Sequence, residues 1–162
     1  MRNISDTEFE NKYSLYKTTI YSIAYNYVHN QSDSDDITQE VFLKYLKSNE
    51  NFDTLDNEKY WLIRVTINTS ISFIKNKWKS KVNFDNEYIN TLKDEASTNN
   101  EAYDKLHMRE VIAKLDNKYK EIIILYYYQN YSTNEIASIL NISNSAVKKR
   151  LERARNIIRK EY

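Results

Sequence analysis

Apolar residues recur every three or four positions along most of this chain. Phe9, Tyr13, Tyr16, Ile20, Ile23 and Tyr27 fall on one helical face and predict a helix from Asp6 to Val28. A polar break follows at His29 to Ser34. Ile37, Val41, Leu43, Tyr45 and Leu46 then predict a second helix from Asp35 to Lys47. Ser48 to Asn57 is polar and irregular, with Phe52 and Leu55 embedded in it. A third, long helix is expected from Glu58 to about Lys79, with Trp61, Leu62, Val65, Ile67, Ile71 and Ile74 as its apolar face. Three such helices can bury one shared core, which sets the end of a first domain at residue 81. Residues 82–100 lack sustained periodicity and carry Asn, Asp, Ser and Thr, the composition of a flexible linker.

The helical pattern returns at Glu101. Leu106, Val111, Ile112 and Leu115 form one stripe, and Asp116 is placed to cap a helix from Asn117 to Gln129. Ser132 and Glu135 then have the spacing of a capping box, in which each side chain satisfies the other's backbone N–H. The short helix that starts there carries Ile136, Ala137 and Leu140 on one face. Asn141-Ile142-Ser143 reads as a tight turn, because asparagine tolerates the left-handed backbone usually given to glycine. Ser143 caps a last helix from Asn144 to about Lys160, with Val147, Leu151, Ala154 and Ile158 as its buried stripe.

These elements predict an all-α fold. Two small helical domains, 1–81 and 101–162, are joined by the flexible linker 82–100, and the second is a helix-turn-helix. The absence of proline agrees, since nothing demands a helix break. The absence of glycine removes phosphate-cradling loops and nucleophile elbows, and with them most nucleotide-dependent enzymes and common hydrolases. No cysteine leaves no disulfide and no thiolate metal site, and two distant histidines make no metal cluster. No cofactor is expected. No apolar run approaches the length of a membrane span, and residues 1–10 hold no apolar signal core, so a cytoplasmic protein without membrane insertion is expected.

A net charge of +1 conceals segregation. Residues 32–58 hold eight acids against two bases, whereas residues 61–84 hold five bases and no acid. Residues 143–160 hold seven bases against Glu152 alone. Two basic segments suit a polyanion, and an acidic one suits a different partner or an insulating linker.

The last helix would present Asn144, Ser145, Lys148, Lys149 and Glu152 to a DNA major groove, with Arg150, Arg153 and Arg155 on the phosphates. A charge run alone is usually a solvated helix face. Here the capping box, the turn and the one-sided charge point together to DNA. The end of the third helix interleaves Phe73, Lys75, Lys77, Trp78 and Lys79, which could bind phosphates and stack on bases. A solvated cationic helix end complementing the dipole explains the lysines equally well, and Trp61 and Phe73 fit a core role. Asp36, Gln39 and Glu40 share a helical face. The helix dipole accounts for the first acids but not for Gln39 and Glu40.

Asp36-Ile37-Thr38-Gln39-Glu40-Val41-Phe42 resembles the Asp-x-x-Gln-Glu-x-Phe core of region 2 of bacterial sigma factors. Trp61-Leu62-Ile63-Arg64-Val65, then Asn68, is similar to the stretch that follows it in the extracytoplasmic-function (ECF) group. Asn134-Glu135-Ile136-Ala137, Leu140-Asn141-Ile142-Ser143 and Val147-Lys148-Lys149-Arg150-Leu151, then Arg153-Ala154-Arg155, resemble the region 4 helix-turn-helix. Ile67, Ser72 and Asn141 stand where the family commonly has a base, an acid and a glycine.

The resemblance implies that Asp36, Gln39 and Glu40 dock on core RNA polymerase. It implies that Phe52, with the loop around it, and Tyr60 capture a flipped base of the promoter −10 element. Arg64, Asn68, Lys75 and Lys77, with Trp78 and Lys79 beside them, would hold the melted −10 strand. Asn144, Ser145, Lys148, Lys149, Arg150, Arg153 and Arg155 would read duplex DNA at the −35 element. An anti-sigma factor is the implied regulator. Two other functions compete with this one. A stand-alone helix-turn-helix regulator would have no need of the Asp36, Gln39 and Glu40 face. A magnesium nuclease built on Asp33, Asp35 and Asp36 would need those acids to surround one ion, and they lie too close in sequence. The chain is expected not to be an enzyme.

Overall fold

The computed structural model describes residues 1–80 and 100–161. Among them are seven α-helices, one π-helical turn and no strand. The described residues divide into two compact units: 1–73 with 137–142, and the remainder. The expected linker lies outside the described residues, except for Asn100, which opens a helix.

The first unit is built on α1 (Asp6–Val28), α2 (Gln31–Lys47) and α3 (Leu55–Ser80). Ser5 starts α1 with a capping box to Glu8, and His29 ends it in the left-handed region at φ 53°. The polar break expected at 29–34 shrinks to two residues. The Asn30 side chain accepts from the Asp33 N–H at 2.8 Å, and the Ser34 hydroxyl donates to the Asn30 carbonyl at 2.6 Å, so α2 starts one turn early. Helices α1 and α2 pack along each other. Tyr16, Ile20, Ile23 and Tyr27 of α1, Ile37, Val41, Phe42 and Tyr45 of α2, and Leu62, Ile63 and Ile67 of α3 are buried.

The buried face of α3 differs from the expected one. Leu62 and Ile67 are in the core, but Trp61, Val65, Ile71 and Ile74 are only half-buried. Their place is taken by Glu58, Ile63, Thr66, Thr69 and Ser70. The hydroxyls tolerate burial because each has a partner. Thr66 donates to the Leu62 carbonyl and Ser70 to the Thr66 carbonyl, both at 2.7 Å, and Thr69 accepts from Lys44 Nζ at 2.9 Å.

Glu58 is buried as a charge and fully engaged. Its Oε1 accepts from Lys12 Nζ at 2.8 Å and from the Tyr16 hydroxyl at 2.9 Å, and its Oε2 accepts from the Tyr45 hydroxyl at 3.0 Å. Burial alone would raise the carboxyl pKa. The bonds from Lys12, Tyr16 and Tyr45 outweigh it and hold the pKa below the ordinary value. Burial and the same carboxylate push the Tyr45 phenol up to about 12. One carboxylate thus ties α1 and α2 to the start of α3.

The second unit contains α4 (Asn100–Ala113), α5 (Asn117–Ile123) and α7 (Asn144–Glu161), with α5 packed along α7. Asp116 stands at the N-cap of α5, but its side chain makes no capping bond there. The helix expected to reach Gln129 instead widens into a π-helical turn at Ile124–Tyr128, closed by Gln129 N–H to the Ile124 carbonyl at 3.0 Å. The extra residue shifts the phase of the helix. Ile122, Ile123, Ile124 and Leu125 are all buried, and Tyr127 and Tyr128 turn outward.

Helix α6 (Thr133–Leu140) precedes α7. Its capping box forms as expected: Glu135 N–H to Ser132 Oγ at 3.1 Å and Ser132 N–H to Glu135 Oε1 at 3.2 Å. Asn141 adopts φ 58°, and Ser143 Oγ accepts from the Ala146 N–H at 3.0 Å to start α7. Val147, Leu151 and Ala154 are buried, while Ile158 is partly exposed. Helix, three-residue turn and helix form the expected helix-turn-helix.

Candidate nucleic-acid interface

Three surfaces follow from these helices. On α2, Asp36, Gln39 and Glu40 are all exposed and lie within about one-third of the helix circumference. Glu40 pairs with Lys44 at 3.4 Å, one turn on. A half-exposed pair of this kind contributes about 0.3–0.5 kcal/mol, so this face does little for the fold. Leu43 lies in the middle of the same stripe and is 53% exposed. Sequence reading assigned Leu43 to the apolar side of α2. Counting its phase from the fully buried Ile37 and Val41 would have placed it outside. Asp33 is buried and accepts from Asn30 Nδ2 at 3.0 Å, whereas Asp35 and Asp36 are exposed. These three acids do not converge. No group of His, Cys, Asp or Glu among the described residues could hold a metal ion.

The second surface joins the loop 48–54 to the outer face of α3. Phe52 is half-buried against Trp61, with ring centroids 5.7 Å apart. Asn49, Asn51 and Asp53 are exposed. Along α3, a helical repeat of 3.6 residues puts Tyr60, Arg64, Asn68, Lys75, Trp78 and Lys79 on one stripe. Tyr60 and Arg64 are half-buried; Asn68, Lys75 and Lys79 are exposed, and Trp78 is 48% exposed. Lys77 falls on the opposite side of the helix and is half-buried. The stripe therefore carries Tyr60, Arg64 and Asn68 nearer the loop and Lys75, Trp78 and Lys79 at its far end, with most of its cations there. That order suits bases at one end and phosphates at the other.

The third surface is α7. Its seven candidate residues separate into two sets. Ser145, Lys148, Lys149 and Arg153 are exposed. Asn144, Arg150 and Arg155 have protein partners. Asn144 Nδ2 donates to Thr133 Oγ1 at 3.1 Å and to Asn134 Oδ1, which fastens the start of α7 to the start of α6. Arg150 pairs with Glu121 at 3.6 Å. Burial raises the Glu121 pKa, and Arg150 opposes that rise. Arg155 donates Nε to the Tyr127 hydroxyl at 2.6 Å, and its guanidinium lies 5.6 Å from the ring centres of both Tyr126 and Tyr127. It closes one side of an apolar cleft of about 410 Å³, lined also by Met108, Ile112, Ile123 and Ile158. Sequence reading missed this tyrosine cradle because the π-helical turn sets which tyrosines face outward.

Comparison with known proteins shows the family of the chain. Residues 13–80 match the family model for Sigma-70 region 2, and residues 106–158 match the model for Sigma-70, region 4. The RNA polymerase sigma factor SigV of Bacillus subtilis is 33% identical over 144 residues, covering 89% of this chain and 84% of SigV. The ECF RNA polymerase sigma factor SigW of the same organism is 30% identical over 161 residues, covering 91% and 84%. Among solved structures, CnrH in complex with the cytosolic domain of CnrY matches with a TM-score of 0.65 at 21% identity, over 96% of this chain and 88% of that one. The sigma factor RpoE in complex with the anti-sigma factor NepR, from Bartonella quintana, matches with a TM-score of 0.64 at 18% identity, over 94% and 95%. These two share the all-helical fold. Region 2 and region 4 stand in the family's order on one chain, which a stand-alone helix-turn-helix regulator does not require. The chain belongs to the sigma-70 family and is an ECF sigma factor, a subunit that binds core RNA polymerase and directs promoter recognition.

Proposed function

We propose that the three surfaces divide the work of initiation. The outer face of α2, with Asp36, Gln39 and Glu40 around Leu43, docks on core polymerase. An apolar side chain ringed by polar ones is the usual build of a binding hot spot. The loop 48–54 and the α3 stripe receive the melted −10 strand, with bases near Phe52 and Tyr60 and phosphates toward Lys75 and Lys79. Lys77, on the other side of α3, takes a peripheral phosphate contact. The first turns of α7 read the −35 duplex, with Ser145, Lys148 and Lys149 at base edges and Arg153 on phosphate. Asn144, Arg150 and Arg155 act at the margin of that contact.

The observation that carries this reading is the exposed α2 face, which makes one weak ion pair within its own helix and contributes little to the core. The protein works in the cytoplasm with polymerase, performs no chemistry of its own, and is held in check by an anti-sigma factor. The sigma factor RpoE of Bartonella quintana, solved in complex with the anti-sigma factor NepR, supports that last point. Run-off transcription tests the whole: core polymerase plus this chain should initiate from a subset of a promoter library that core alone ignores. Operator binding without any gain in transcription would return the chain to the class of stand-alone regulators.

A further inference from the structure

The segment before α1 reaches across to the loop between α2 and α3. There Arg2 makes four hydrogen bonds. Its backbone N–H donates to the Leu46 carbonyl at 2.7 Å. Its Nε donates to the Tyr45 carbonyl at 3.2 Å, and its Nη2 donates to Ser48 Oγ at 2.9 Å and to the Glu50 carbonyl at 2.8 Å. The guanidinium also lies over the Tyr45 ring at 4.4 Å and the Phe52 ring at 5.2 Å. One planar fork thus joins the end of α2, a loop hydroxyl at Ser48, a loop carbonyl at Glu50 and the loop's aromatic residue.

We infer that Arg2 is a positioning residue for −10 recognition: it clasps the loop 48–54 in the conformation that presents Asn49, Asn51 and Asp53 to a base. This inference rests on the reading of that loop as a base-capturing element. Three features support it. A loop with five exposed residues, and only Ser48 and Phe52 half-buried, has little packing of its own to order it. Arg2 supplies the missing restraint through charge-assisted hydrogen bonds, which are stronger than neutral ones. The clasp is also rigidly backed. The Tyr45 ring beneath the guanidinium is held at its hydroxyl by Glu58, which Lys12 and Tyr16 hold in turn. A base entering a pre-ordered loop does not have to immobilise it, and that raises both affinity and discrimination. Lysine could keep the charge and the ring contact. It could not bridge Tyr45, Ser48 and Glu50 together, because an ammonium lacks the fork.

The test uses the full chain, alone and bound to core polymerase, as wild type and as Arg2→Ala, Arg2→Lys, Phe52→Ala and Asn51→Ala. Hydrogen exchange of the free chain reads loop order. Selection from a randomised single-stranded oligonucleotide pool on holoenzyme, read by sequencing, reports base preference. In Arg2→Ala the amides of 49–53 should exchange about tenfold faster, as expected for losing charged hydrogen bonds, while core amides of α1–α3 and affinity for core polymerase stay as in wild type. The selected sequences should lose about tenfold in preference at the captured base, and Arg2→Lys should fall with Arg2→Ala.

Wild-type exchange and preference in Arg2→Ala overturn the inference. Faster exchange throughout the domain with weaker core binding also overturns it, because Arg2 would then be a general stabiliser. Full recovery in Arg2→Lys overturns the fork and leaves charge alone. If Phe52→Ala and Asn51→Ala both keep the wild-type preference, the base-capturing reading of the loop fails. Exchange at 49–53 then still decides whether Arg2 orders it.

Discussion

Arg155 donates its Nε to the Tyr127 hydroxyl at 2.6 Å while its guanidinium rests over the Tyr126 and Tyr127 rings. A cation on a DNA-reading helix is ordinarily assigned to phosphate. This one already has a phenol oxygen and two aromatic faces, and the hydrogen bond to Tyr127 holds its pKa above the ordinary arginine value. Binding phosphate would mean giving up those contacts. Lys149 and Arg153 are exposed and have no such choice to make. Lys149→Ala and Arg153→Ala should each flatten the salt dependence of −35 duplex binding by holoenzyme by about one unit of slope. Arg155→Ala should change it by less. A salt titration of all three variants on one selected duplex checks this, and equal slopes for the three would mean that Arg155 leaves the tyrosines to meet DNA.

Asn144 and Lys148 should separate in the same way. The Asn144 amide holds Thr133 and Asn134, and Lys148 is exposed on the next turn. Lys148→Ala should relax −35 sequence choice by about 1–3 kcal/mol at one position, the usual worth of a direct base contact. Asn144→Ala should instead lower the stability of the helix-turn-helix by about 0.5–1.5 kcal/mol, the net worth of a hydrogen bond, and leave the preferred sequence largely intact. Binding-site selection beside thermal melting distinguishes the two effects. A changed sequence preference in Asn144→Ala with unchanged melting would show that the amide turns to the DNA.

The α2 face should be separable from the fold. Replacing Gln39 and Glu40 by Ala should alter stability by no more than about 0.5 kcal/mol, the range of surface substitutions away from special features. Affinity for core polymerase should drop sharply. Leu43→Ala should cost about 1–2 kcal/mol in that affinity, as the apolar centre of the contact, with no loss of stability. Gel filtration with core polymerase and thermal melting measure both. Normal core binding by all of these variants would remove the main support for α2 as the docking face.

Glu58 makes stability depend on pH in a set direction. Its pKa in the folded chain lies below the ordinary carboxyl value of 4.5. A depressed carboxyl stabilises the fold above the unfolded-state pKa, and that contribution is lost as pH falls through the folded value. Glu58→Gln keeps hydrogen-bonding capacity but no charge, and should cost roughly 1–3 kcal/mol near neutral pH because Lys12, Tyr16 and Tyr45 lose an ionised acceptor. The gap between wild type and variant should narrow as pH drops below about 4.5. Denaturant melts of both proteins across acidic pH test this, and a gap that stays constant with pH would mean that Glu58 is not held as a carboxylate.

What could be read directly from the sequence is what depends on neighbours a few residues away. The capping box at Ser132 and Glu135, the left-handed Asn141, the Ser143 cap and the Val147, Leu151 and Ala154 stripe are all local events. So is the shared face of Asp36, Gln39 and Glu40, and the family motifs are strings of such local choices. Partnerships across the chain were decided only by tertiary packing. Glu58 meets Lys12 across 46 positions, Arg2 meets Glu50 across 48, and Arg155 meets Tyr127 across 28. Hydrophobic periodicity gives a buried serine no weight, so the pattern turned α3 toward Trp61 and Val65. Packing turned it toward Thr66 and Ser70, whose hydroxyls bond carbonyls one turn back and lose little by burial. Which of two nearly equivalent helix faces is buried depends on the surface it meets, and that surface is assembled from residues far away in the chain.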